Sequence, residues 1–100
     1  MNYGHIVVAL EIGAYKKLLN DFAEDDLVMY HVREADCHQI EDVFILEWQE
    51  TQWSVAWGKI LDFAEKYHGD YVRLGDELTD IEFHCGFNVL GITRKIELEV

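Results

Sequence analysis

The side chains with the most chemical potential in this chain are two glutamates and a histidine on apolar, strand-like stretches. Glu11 lies in the run Val7-Val8-Ala9-Leu10-Glu11-Ile12, and Glu47 in the similar run Val43-Phe44-Ile45-Leu46-Glu47-Trp48. If Val8, Leu10 and Ile12 face helices, then His5, Val7, Ala9 and Glu11 face the other side of a sheet. The same alternation puts Val43, Ile45 and Glu47 there on the next strand. Glu11 and Glu47 are therefore expected side by side near two strand ends, with His31 and Arg33 reaching them from a second strand. Two close carboxylates repel, which raises one pKa towards the range used in general acid–base chemistry. An arginine alongside offsets that shift. Glu11, Glu47 and His31 are thus the candidate catalytic set, and the competing expectation is a solvated or salt-bridged sheet face.

Metal chemistry has less support. Cys37-His38 and His84-Cys85 form a mirror pair, but zinc needs four converging ligands at recognisable spacings. Neighbours on a strand point to opposite faces, so His84 and Cys85 do not share one ion. Cys85 has the parity of Ile81, Phe83 and Phe87 and is expected as a core thiol. Cys37-His38 falls in a loop. We expect no metal and no cofactor. The chain has no G-x-S-x-G, no phosphate-cradling glycine loop and no H-E-x-x-H. Trp48, Trp53 and Trp57 offer either a ligand platform or core packing, and their spacing fits the core.

The element that must position these residues is Thr51 to Gly69. Trp53, Ala56, Trp57, Ile60, Leu61, Ala64 and Tyr67 recur there at helical spacing. Thr51 or Ser54 can cap its start, and Gly69 supplies a left-handed stop. So apolar a stripe requires a sheet beneath it. Strands are expected at about His5–Ile12, Leu27–Glu34, Asp42–Glu50 and Tyr71–Leu74. A short helix is expected at Ala14–Glu24 and a polar loop at Ala35–Glu41. An acidic loop, Gly75–Asp80, precedes a hairpin of Ile81–Phe87 and Ile92–Val100.

Asp21-Phe22-Ala23-Glu24 recurs as Asp62-Phe63-Ala64-Glu65, and the two strand runs share Val, Leu and Glu. Two strand–helix–strand halves, about 5–35 and 42–75, describe the ferredoxin-like βαββαβ plan with an added C-terminal hairpin at 81–100. Strands one and three are expected to be central and parallel, and strand two, with Met29, His31 and Arg33 on one face, to be an edge. The face carrying Val7, Ala9, Val43 and Ile45 is too apolar to lie bare. Either the hairpin covers it or a second copy does, making a homodimer with a cavity between facing sheets. Tyr30 through Trp48, ending in Phe44-Ile45-Leu46-Glu47-Trp48 before a helix, resembles the second half of the antibiotic-biosynthesis monooxygenases. That resemblance covers about a third of the chain. It implies a dimeric ferredoxin-like enzyme or small-ligand binder.

Composition bounds the partners. The 100 residues, half of them apolar and 13% aromatic, suffice for one α+β domain with one core. Without proline there is no rigid linker. Two cysteines and no basic, apolar leader point to reduced thiols in a cytoplasm. No run approaches the length of a membrane span. Twenty acids against eight bases give a formal charge of -12, the wrong sign for binding nucleic acid or anionic lipid directly. The acids gather at Asp21, Glu24, Asp25 and Asp26, at Glu34, Asp36, Glu41 and Asp42, and at Asp70, Asp76, Glu77, Asp80 and Glu82. Such a field steers a basic partner and can occupy a groove built for phosphates. Small acidic nucleic-acid mimics of the phage anti-defence kind, and immunity proteins against basic nucleases, share this profile. The leading expectation is an inhibitor that binds a basic, nucleic-acid-handling protein through Asp25, Asp26, Glu34, Asp36, Asp70, Asp76, Glu77 and Asp80.

Overall fold

The computed structural model describes residues 3–52, 54–75 and 81–86. The elements run β1 (Tyr3–Glu11), α1 (Ile12–Asp21), α2 (Asp26–Glu34), β2 (Asp36–Ile40), β3 (Val43–Gln52), α3 (Val55–Lys66), β4 (Asp70–Leu74) and β5 (Ile81–Cys85). The strands form one open antiparallel sheet in the order β2-β3-β1-β4-β5. The architecture of the described residues is α+β, with three helices on this five-stranded sheet.

β1 is the middle strand, and Ile6 to Leu10 are buried on both faces. A strand covered on both sides reads as one continuous apolar run rather than an alternation. β1 and β3 are neighbours, but they run antiparallel, not parallel as expected, with Val7 opposite Glu47 and Glu11 opposite Val43. The cause is the tight turn Glu41-Asp42, whose first residue takes φ 56° and folds β2 back against β3 with Ile40 opposite Val43. β1 and β2 therefore point the same way with β3 between them. β3 and β4 likewise flank β1.

The segment expected as strand two is helical. Asp25 starts α2 by accepting a hydrogen bond from the Val28 N–H at 3.2 Å, and Asp26 in the first turn and Arg33 in the last suit the helix dipole. Val28 and Val32, four apart, are buried against the core, a spacing that also satisfies strand alternation. The strand itself is the stretch expected as a loop. All five residues of β2 are exposed, so an edge position asks for no apolar face.

α3 follows expectation more closely. Ser54, not Thr51, is its cap, accepting from the Ala56 N–H at 3.2 Å, while the Thr51 hydroxyl donates to the Gly4 carbonyl within the sheet. Ala56, Trp57, Ile60, Leu61, Phe63 and Ala64 are buried. At its end His68, not Gly69, holds the left-handed conformation, with φ 59°. Gly69 is required for closeness instead, since a Cβ there would meet Leu10 Cδ2 at 2.6 Å and the Ala9 carbonyl oxygen at 2.8 Å.

One core, built from β1, β3, β4 and the three helices, fills the covered face. On the other face Val7 and Val72 pack with Ile45, Leu74 and Ile81, a cluster of strand residues only among those described. β5 extends the sheet beside β4. Its Cys85 is exposed rather than a core thiol, Cys37 is also exposed, and the two form no disulfide. The turn at 88–91 and the arm Ile92–Val100 lie outside the described residues. No helix among those described is long and apolar enough to cross a membrane.

Candidate functional site

The expected catalytic set is dispersed. The antiparallel register puts Glu11 at Val43 and Glu47 at Val7, four residues apart, or about 13 Å along the strands. Glu47 instead pairs with His5, whose Nε2 lies 2.6 Å from Oε2, and faces Asp36 across the β2–β3 ladder. His31 is on α2, packed against Trp57 on the helix side of the sheet. Parallel central strands and a strand at 27–34 were the two premises that would have brought these groups together, and neither holds.

The expected contact acids divide into three groups. Asp25 is occupied as the α2 cap and by Lys59 Nζ at 2.7 Å, and these bonds hold its carboxyl below the usual range, the lysine contributing most. Asp70 is buried and accepts the Gly86 N–H at 2.6 Å. Asp26, Glu34 and Asp36 are exposed. Asp76, Glu77 and Asp80 lie outside the described residues.

Glu34 and Asp36 border a groove of about 460 Å³ at the corner where β2 ends. β2 pairs only with Val43–Glu47, so from Trp48 to Thr51 the outer edge of β3 has no strand beside it among the described residues. α2 overhangs that edge with Leu27, Tyr30, His31 and Glu34, residues that share one helical face. The buried Trp48 and Trp57 supply the floor, and Glu50 and Gln52 also line the groove.

The aromatic rings form an unbroken row. Tyr30 meets His31 edge-on at 5.4 Å between ring centres, His31 lies on Trp57 at 4.3 Å, and Trp57 meets Trp48 at 4.9 Å. Both indole N–H groups donate inward, Trp48 to the His31 carbonyl at 2.7 Å and Trp57 to the Gln52 carbonyl at 2.9 Å. The two buried indoles are thus fixed in place, and neither N–H is left over as a donor to the groove. Burial pushes the His31 pKa down, partly opposed by Glu34, so the ring is neutral near pH 7. Four carboxylates, Glu34, Asp36, Glu47 and Glu50, line the groove, and no Lys or Arg does among the described residues.

Trp48 and Trp57 belong to the core, as their spacing suggests, and the same rings floor the groove. Sequence reasoning missed Leu27, Tyr30, Glu50 and the groove itself. Asp25-Asp26 before a 27/30/31/34 spacing was the signal available, and the competing strand alternation hid it. No group of three or more His, Cys, Asp or Glu among the described residues is placed to hold a metal. Comparison with family models, curated proteins and solved structures finds no match to this chain.

Proposed function

We propose that this chain is a small acidic interaction module that binds a basic protein and, by covering the surface with which that protein handles nucleic acid, inhibits it. The observation that carries the proposal is the groove, where Glu34, Asp36 and Glu50 border an aromatic floor with no lysine or arginine in the lining among the described residues, the fourth acid, Glu47, being paired with His5. The formal charge of -12 adds long-range steering towards a basic surface. The arrangement of β1 to β4 supports the ferredoxin-like plan as the scaffold, with β5 as an added edge.

The test is a pull-down from the native host, washed at low and then high salt, with the retained protein assayed on its own substrate. A basic nucleic-acid-handling protein, released by salt or competing DNA and inhibited when bound, is the expected result. Retention of neutral or acidic proteins only would overturn the proposal. The apolar open face, where Ile40 and Phe83 are more than 40% exposed, favours a second role as a homodimer contact. Measurement of mass in solution tests it, and a monomer at high concentration removes it.

A further inference from the structure

The chain contains an internal standard for what its aromatic and acidic surfaces require. On the opposite side of α3, a smaller recess of about 290 Å³ is lined by Asp21, Phe22, Asp62, Phe63 and Tyr67 together with Lys59 and Lys66. There the ammonium groups of Lys17 and Lys66 sit 5.4 and 5.5 Å from the centre of the Tyr67 ring. Lys17 also reaches Asp21 at 3.3 Å. Rings, carboxylates and cations complete one another within the chain. Among the described residues both cation–π contacts fall on Tyr67, and the ring row of the groove has none.

We propose that the groove is the receptor for an arginine carried on an extended segment of the basic partner. The proposal rests on the acidic-module reading above and names the chemistry that its partner presents. Three properties select this occupant. The β3 edge from Trp48 to Thr51 can pair with an extended chain, because no described strand lies along it. The half-exposed Tyr30 ring and the part-buried His31 ring beside it, backed by the buried Trp57, offer flat π surface on which a planar guanidinium stacks better than a compact ammonium. Glu34 and Glu50, which both line the groove, can accept a guanidinium fork at one or both ends. The neutral His31 adds surface without opposing charge. The inward-bonded indoles keep the site formed before binding, which lowers the ordering cost.

The test uses the full chain and three capped nine-residue peptides of alternating Thr and Ser, differing only in a central arginine, lysine or citrulline. Calorimetry at low salt is expected to rank arginine first, lysine second and citrulline weakest, with about tenfold between first and last. Tyr30→Ala combined with Glu34→Gln, both exposed positions, is expected to weaken the arginine peptide about tenfold while leaving the melting temperature unchanged. Asp62→Asn in the other recess should change nothing. Equal affinity for arginine and citrulline, undetectable arginine binding, or binding indifferent to the groove variant would each overturn the inference. A basic partner that still binds the groove variant with full affinity removes this site but leaves the acidic-module proposal standing. Arginine-peptide binding by a chain that captures no basic protein does the reverse.

Discussion

The two sides of α3 are built from the same materials and differ in one component. Towards α1, Phe22, Phe63 and Tyr67 stand among Asp21 and Asp62, with Lys59 and Lys66 in the same lining and Lys17 over the Tyr67 ring. Towards α2 and β3, four rings stand among Glu34, Asp36, Glu47 and Glu50, and no described lysine or arginine joins them. A carboxylate with an ammonium at 2.7 Å, as Asp25 has in Lys59, has its local demand met. The acidic, aromatic groove without a described cation is the surface proposed to meet a partner. The lesson is that net charge alone does not single out one surface, whereas the distribution of the few lysines does.

The comparison supposes that both regions share one core and diverge only at the surface. Trp57→Ala and Phe63→Ala should then each cost about 3–5 kcal/mol, because each removes a buried aromatic from the same cluster. Denaturant unfolding measures both. A markedly cheaper Trp57→Ala would show that the groove floor is loosely packed and would weaken the case for a preformed site.

A smaller effect separates the regions by pH. The His31 pKa lies below its usual value in the folded chain, so the unfolded state binds more protons. Its contribution to stability is present above about pH 6.5, the unfolded value, and is lost as pH falls through the lowered folded value. His31→Gln should flatten that part of the stability profile between neutral and mildly acidic pH. An unchanged slope would show the ring to be solvated.

The smallest effects belong to the lysine side. Its ion pairs are exposed, and such pairs contribute little to stability. Lys17→Met and Lys59→Met should shift the melting temperature only slightly. The Asp25 carboxyl, held low chiefly by Lys59, stabilises above its unfolded pKa, and that support is lost as pH falls through the folded value. With Lys59→Met that loss should be smaller and complete at a higher pH.

How much of this was legible in the sequence follows from which signals were unambiguous. β1, β3, α3 and β4 declared themselves, because continuous apolar runs and a six-residue buried stripe have few alternative explanations. The segment from Leu27 to Ile40 did not. Val28, Tyr30 and Val32 satisfy both a strand's alternation and a helix's i, i+4 spacing, and the exposed β2 has no apolar pattern to read. Exchanging helix for strand there removed His31 from the sheet and put it on Trp57, which dissolved the expected acid–base set and created the groove. Glu34 and Asp36 were singled out for their charge and line the groove. Tyr30 and Glu50 were invisible, since only tertiary packing sets them beside the tryptophans.

The most direct test of the central claim is one binding series against the basic partner recovered from the host. It would compare the unmodified chain with Glu34→Lys plus Glu50→Lys in the groove, and with Asp21→Lys plus Asp62→Lys on the lysine side. Both double variants change net charge equally. The account predicts that the groove pair weakens binding about a hundredfold or more and the other pair several-fold at most, through lost steering alone. Equal weakening by the two pairs would contradict it, leaving a diffuse acidic field in place of a site.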